Sequence, residues 1–280
     1  SITAPAGTVA LGGGTAISVQ FQKNKLLGIE VNQQQLDTMV SNSGLINADG
    51  GQVLLSAGSH NSLLASAVNN VGQIQARTVS MQQGKVVLSA GKKTGQVKLG
   101  GSVDVSAPTT GDGGEIEISA AKVQLTDDLQ ADSTAANGRT GDLRLSAAQW
   151  VVQRQSSNGD SNAIRGEDVG KLLASNNVTL RTDPLADTAG NIAINGAVTW
   201  NAPTTLSLQA AGDIYVNDVL TSNHASGGLR LAYGLGSGDG TIAGKQADYW
   251  ISAPVNIHAG QNFYTQRGAL GPVKAFTVIT

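Results

Sequence analysis

Gly114-Glu-Ile116-Glu-Ile118-Ser-Ala120 and Gly141-Asp-Leu143-Arg-Leu145-Ser-Ala147 are copies of one phrase: a glycine, two branched aliphatics one residue apart, then Ser-Ala. Earlier copies are Gly51-Gln-Val53-Leu-Leu55-Ser-Ala57, Gly84-Lys-Val86-Val-Leu88-Ser-Ala90 and the shorter Gly95-Gln-Val97-Lys-Leu99. Looser ones follow at Val178-Thr-Leu180, Gly190-Asn-Ile192-Ala-Ile194, Leu206-Ser-Leu208, Ile214-Tyr-Val216 and Gly228-Leu229-Arg-Leu231. Aliphatics at i and i+2 with a polar residue between them describe a half-buried strand, one face in a core and the other in water. Each copy is too short to be stable alone, so neighbours must stack and the chain is built by repetition.

The strand style runs unbroken from Val9-Ala-Leu11 to Leu229-Arg-Leu231, so residues 1–280 read as a single elongated segment. Gly at 36 and Pro at 6 of 280 supply tight turns without reaching the composition of a disordered tract. Only Phe21, of ten aromatics, precedes Trp150, so small branched side chains must fill the core there. The net charge of −2 comes without a basic run or acidic tail, which excludes an electrostatic footprint for nucleic acid or anionic lipid. With no cysteine, a disulfide framework and a thiolate metal site are both excluded. No apolar stretch approaches the ~20 residues that span a bilayer. The opening Ser1-Ile-Thr-Ala-Pro5 lacks the marks of a signal peptide and starts inside the strand style, as expected of a segment from a longer chain.

Successive phrases are unevenly spaced, from 11 residues (Val86 to Val97) to 44 (Val9 to Val53). A strict short repeat would give one number; an irregular parallel β-helix, with several strands per coil and loops of varying length, gives this scatter. The expected fold is therefore all-β, a solenoid of coils of roughly 25 residues, each adding ~4.8 Å. Pro5, Pro108, Pro203 and Pro254 each follow an alanine and suit corners, because proline cannot donate to a ladder. Three excursions, near 31–42, 60–70 and 152–176, break the rhythm with helical spacing. They predict short helices carrying Val31, Gln35, Leu36, Met39 and Val40; Leu63, Leu64, Ala67 and Val68; and Ile164, Val169, Leu172 and Leu173, the last with Glu167-Asp168 in its first turn.

Longer stretches carry a family likeness: Ser1-Ile-Thr-Ala-Pro-Ala-Gly-Thr-Val-Ala-Leu11, Leu27-Gly-Ile-Glu-Val-Asn-Gln-Gln-Gln-Leu36, Gly44-Leu-Ile-Asn-Ala-Asp-Gly-Gly-Gln-Val-Leu-Leu-Ser-Ala57, Val68-Asn-Asn-Val-Gly-Gln-Ile-Gln-Ala76 and the closing Gly268–Thr280. Across nearly its whole length the chain resembles the exoproteins of bacterial two-partner secretion typified by filamentous haemagglutinin, in the part downstream of the secretion domain. No Asn-Pro pair of the kind typical of that secretion domain occurs. The resemblance implies a right-handed parallel β-helix, export to the cell surface by an outer-membrane transporter that reads a segment absent here, and a role in adhesion, aggregation or display of a distal module.

A polysaccharide-cleaving β-helix enzyme is the competing class, and it needs carboxylates converging with a base or metal in one groove. Glu115 and Glu117 alternate with Ile116 and Ile118 as on a solvated strand face, and Asp127-Asp128 reads as a turn; Asp112 and Asp239 are the other acids considered. His60, His224 and His258 lack zinc-helix spacing, no nucleophile elbow occurs, and Gly236-Ser-Gly-Asp-Gly240 is a lone loop and no calcium repeat. No catalytic residue, metal or cofactor is expected. A toxin stalk is a further alternative. For binding, strand parity turns Tyr215 outward between Ile214 and Val216, and Arg230 outward between Leu229 and Leu231. Taking Ile251, Val255 and Ile257 as inward turns Trp250 and His258 outward, while Trp200 shares parity with core residues. Exposed aromatics beside polar groups suit stacking on sugar rings, so host-cell or matrix glycans and exopolysaccharide are the expected partners of a monomer with some tendency to self-associate.

Overall fold

The computed structural model describes residues 1–14, 17–22, 25–31, 39–57, 68–155, 160–183, 189–237, 240–242, 245–258, 263–268 and 273–276. The chain is all-β, built from parallel sheets, and divides into two compact units, Ser1–Arg144 and Leu145–Thr280.

In the first unit β1 (Ile2–Thr3) and β2 (Thr8–Gly13) precede an antiparallel hairpin of β3 (Ile17–Gln22) and β4 (Lys25–Val31). The chain then runs in triads. These are β5 (Val40–Asn42), β6 (Leu45–Asn47), β7 (Gln52–Ala57); β8 (Val68–Asn70), β9 (Gln73–Gln75), β10 (Lys85–Ala90); β11 (Gln96–Leu99), β12 (Ser102–Asp104), β13 (Glu115–Ser119); and β14 (Lys122–Leu125), β15 (Gln130–Asp132), β16 (Asp142–Ala147). First members form the sheet β14-β11-β8-β5, second members join β1 in β1-β6-β9-β12-β15, and third members join β2 in the order β2-β7-β10-β13-β16. The polypeptide thus returns to the same three sheets in the same order.

The phrase supplies the register. Val9, Val53, Val86 and Ile116 stack on one another, as do Leu11, Leu55, Leu88 and Ile118. Val53, Leu55, Val86, Leu88, Ile116 and Ile118 have no exposed surface, each worth about 1.5–3 kcal/mol of burial. The leading glycine has a separate reason. A Cβ on Gly114 would lie 2.3 Å from the Gly84 carbonyl oxygen, and one on Gly141 would lie 2.0 Å from that of Gly114. Neighbouring backbone segments approach there too closely for any side chain.

Polar ties join one triad to the next. Asn42 Nδ2 donates to Asn70 Oδ1 at 2.8 Å, and Asn70 Nδ2 to the Gly100 carbonyl at 2.9 Å, so these two buried amides satisfy their needs along the stack. The Arg77 guanidinium meets Asp49 Oδ2 at 2.7 Å and its backbone N–H donates to Asp49 Oδ1 at 2.9 Å. Burial pushes the Asp49 carboxyl up, but the hydrogen bonds and charge of Arg77 outweigh it and hold the carboxyl below its ordinary range. Arg139 repeats this clamp on Asp112 with the same backbone and guanidinium contacts.

In the second unit β17 (Trp150–Gln153) and β18 (Ala163–Arg165) lead into the helix α1 (Gly166–Leu173) and then β19 (Asn177–Thr182). Triads resume with β20 (Ile192–Asn195), β21 (Val198–Trp200), β22 (Thr205–Gln209) and β23 (Ile214–Val216), β24 (Leu220–Ser222), β25 (Gly228–Tyr233). A small antiparallel hairpin, β26 (Thr241–Ile242) with β27 (Lys245–Gln246), precedes β28 (Tyr249–Ile251), β29 (Val255–Asn256), β30 (Phe263–Arg267) and β31 (Val273–Phe276). The sheets are β18-β17-β20-β23-β28, β21-β24-β29 and β19-β22-β25-β30-β31, the last pair antiparallel. Trp150 is fully buried and its indole N–H donates to the carbonyls of Leu145 and Arg181. Trp200 is buried as its parity predicts.

α1 lies where the third excursion predicts a helix, although Ile164 belongs to β18. It covers the outer edge of β21, an edge otherwise open to strand addition. Gly166 and Gly170 make the approach possible, since a Cβ on either would lie 2.1 Å from the Ala197 carbonyl oxygen or 2.4 Å from that of Thr199. Asn176 Nδ2 and Thr204 Oγ1 donate to the Leu172 and Leu173 carbonyls at its C-terminus.

The other two helix expectations are corrected where residues are described. Val31 ends β4, Val40 opens β5 and Val68 opens β8; Met39 is exposed and in no helix. Val40 and Val68 are direct register partners, so pairing across coils overrides the helical spacing around them. Gln35, Leu36, Leu63, Leu64 and Ala67 lie outside the described residues, as do His60 and Asp239. The four prolines that follow alanine all fall outside strands.

Candidate functional site

The site is built on the outer face of β18-β17-β20-β23-β28 in the second unit. Parallel register places Ala163, Val151, Ala193, Tyr215 and Trp250 in one outward column. Residues that stay small or aliphatic through three strands give way to two aromatic rings in the last two. Tyr215 and Trp250 stack at 5.0 Å between ring centroids with 9° between their planes. Trp250 is 46% exposed, whereas Tyr215 is half-buried beneath it.

Polar groups flank the rings. Tyr215 Oη donates to Asp213 Oδ2 at 3.2 Å, and Asp213 Oδ1 accepts the Asp248 N–H. Burial raises the Tyr215 phenol above its usual value, with the Asp213 carboxylate adding to the effect, so the hydroxyl remains a donor at neutral pH. On the other flank Asn195, Asn217 and Ser252 form a short ladder: Asn217 Nδ2 donates to Asn195 Oδ1 at 2.9 Å and Ser252 Oγ to Asn217 Oδ1 at 3.0 Å. The result is an exposed indole held flat on a phenol, between a carboxylate and a row of exposed amides. Such a surface can stack on the apolar face of a sugar ring and hydrogen-bond its hydroxyls.

Of the four residues singled out from sequence, Tyr215 and Trp250 come together. Arg230 is exposed on a different sheet, with its guanidinium carbon 5.4 Å from the ring centroid of Tyr264, its register partner. His258 is exposed, two residues past β29. One expectation holds only in part: Ile251 stands on the inward column with its register partner Val216, yet it is 41% exposed. β28 is the last strand of its sheet, so Ile251 sits on the buried Val216 with no further strand above it. Val255 and Ile257 are buried as expected.

Sequence reading missed Tyr264 and Tyr249, the latter packed at 5.2 Å against Tyr233. The signal for Tyr264 was available only to someone who knew that Arg230 and Tyr264, 34 residues apart, are coil equivalents.

The acids considered for catalysis that lie among the described residues have structural roles. Lys85 Nζ lies 3.0 Å from Glu115 and 3.4 Å from Glu117, and Arg144 reaches Glu115 at 3.4 Å, all on a strand face. Asp127 and Asp128 form a turn, and His224 Nδ1 accepts the Ser226 N–H in a local turn. Among the described residues no cluster of His, Asp and Glu could hold a metal ion, and no helix is long and apolar enough to cross a membrane.

Compared with family models the chain matches none, and it matches no curated protein.

Proposed function

We propose that the chain is a non-catalytic adhesive segment of a secreted bacterial surface protein, each unit wound as a right-handed parallel β-helix, which attaches cells to host or matrix glycans through its outer face. The triads in continuous parallel register support the solenoid, and the resemblance to filamentous-haemagglutinin-like exoproteins supports export and attachment. The observation that carries the binding role is the Trp250 ring, stacked on Tyr215 and nearly half exposed beside Asn217 and Ser252. An exposed indole with an apolar face and polar neighbours is suited to stack on a sugar ring. Individual contacts on such a face are weak, and attachment comes from many acting together.

The test is retention of the purified chain on glycan arrays, bacterial exopolysaccharide and host cells. The wild type is expected to be retained on at least one. Trp250→Ala should cut that retention by about tenfold or more, as removal of an aromatic anchor does. Absence of retention on every surface would reduce the segment to a spacer.

A further inference from the structure

A groove of about 520 Å³ crosses the strands of the first unit at the corner between its first and second sheets. Its floor is glycine stacked on glycine: a Cβ on Gly72 would lie 2.4 Å from the Gly44 carbonyl oxygen, and one on Gly101 2.2 Å from that of Gly72. At Gly72 and Gly101 the absence of a side chain is required by the close approach of neighbouring backbone, and it leaves backbone at the bottom of a trough.

Along the wall stand Gln73, Ser102 and Gln130, register partners on β9, β12 and β15. Neighbouring strands are ~4.8 Å apart, so from the coil of Gly44 to that of Gln130 the groove presents polar groups over about 14 Å. These side chains differ from those of several other outward columns of the same unit. In several of those columns polar residues on neighbouring strands bond one another: Ser89 to Ser56 at 3.1 Å, Gln96 to Gln124 at 3.3 Å, Lys85 to Glu115 at 3.0 Å. Among the described residues the side chains of Gln73, Ser102 and Gln130 make no hydrogen bond, although they stand in the same register. Asp128, in the last coil of the groove, is anchored by the Thr126 hydroxyl and adds a carboxylate; among the described residues no lysine or arginine lines the groove.

We propose that this groove binds a neutral polysaccharide of equatorially linked hexopyranose rings, laid across the strands with about one ring per coil. An extended chain of that type advances about 5 Å per ring, close to the strand spacing, so each ring meets an equivalent set of amide and hydroxyl groups. The glycine floor lets the ring faces approach the backbone, and the Asp128 carboxylate disfavours uronic-acid polymers. The inference rests on the adhesive reading and narrows its ligand class, but it uses none of the residues around Trp250.

The experiment titrates the full chain with cellohexaose, maltohexaose and hexagalacturonate by isothermal calorimetry, alongside the Gln73→Ala/Gln130→Ala double variant and the Trp250→Ala variant. Binding to cellohexaose is expected in the millimolar range usual for an open polar groove. It should weaken at least tenfold in the double variant, with unchanged circular dichroism, and persist in Trp250→Ala. The axially linked maltohexaose and the anionic hexamer should bind several-fold more weakly. No binding of cellohexaose, a double variant equal to wild type, or preference for the anionic hexamer would each overturn the groove assignment. If cellohexaose binding disappears only in Trp250→Ala, the groove is excluded while the Tyr215–Trp250 face stands.

Discussion

Gly141→Val is expected to lower the stability of the first unit by about 3 kcal/mol or more, roughly 10 °C in thermal midpoint. The glycine that opens the phrase sits where one coil crosses the previous one, and its absent Cβ would stand 2.0 Å from the Gly114 carbonyl oxygen. The obstructing atom is backbone, tied into the same stack by the hydrogen bond from Asp142 N to that carbonyl. It can move only by separating the coils, which loosens the aliphatic columns beside it. Gly44 supplies the contrast, because nothing lies within 4 Å of where its Cβ would go. Gly44→Ala should therefore stay within about 0.5 kcal/mol of wild type. Urea denaturation of the two variants checks both halves of the prediction, and equal midpoints would contradict it.

The second large effect is expected at Trp150. It has no exposed surface and is the bulkiest fully buried side chain, in a core otherwise filled mainly by branched aliphatics. Its indole N–H ties the carbonyls of Leu145 and Arg181, which lie on different strands 36 residues apart in the chain. Trp150→Ala removes the ring and leaves a cavity, costing about 3–5 kcal/mol. Trp150→Phe retains much of the volume but removes the donor, at about 1–3 kcal/mol for the carbonyls left without it. Equilibrium unfolding of the two variants should rank them in that order. A loss for Trp150→Ala no larger than that of an exposed residue would contradict the packing described.

The strands were legible because their cause is local. Val86 and Leu88, or Ile116 and Ile118, alternate with polar residues in any reading, and all four are buried. The parity argument also turned Tyr215 and Arg230 outward. What was hidden depends on alignment between coils. Tyr215 and Trp250 are 35 residues apart, with the β26–β27 hairpin between them, and only parallel pairing places one ring on the other. Tyr264 lies opposite Arg230 for the same reason. The helical spacing around Val40 and Val68 misled because both are inward strand positions paired with each other. For Ile251 parity gave the column it shares with Val216 but not its burial, because β28 has a neighbouring strand on one side only. The groove left no trace in composition: its polar walls and glycine floor come from different strands, and each glycine by itself reads as a turn.

Everything about both surfaces depends on neighbouring coils lying parallel and in register, and cysteine cross-linking measures this directly. The chain has no cysteine, so an introduced pair has no competitor. Ser56 and Ser89 are register partners whose hydroxyl oxygens are 3.1 Å apart. Under mild oxidation Ser56→Cys/Ser89→Cys should form an intramolecular disulfide in nearly every molecule, while Ser56→Cys/Val87→Cys, two residues out of register, should stay reduced. Cross-linking of the second pair in preference to the first would contradict the stacked architecture and the columns on its surface.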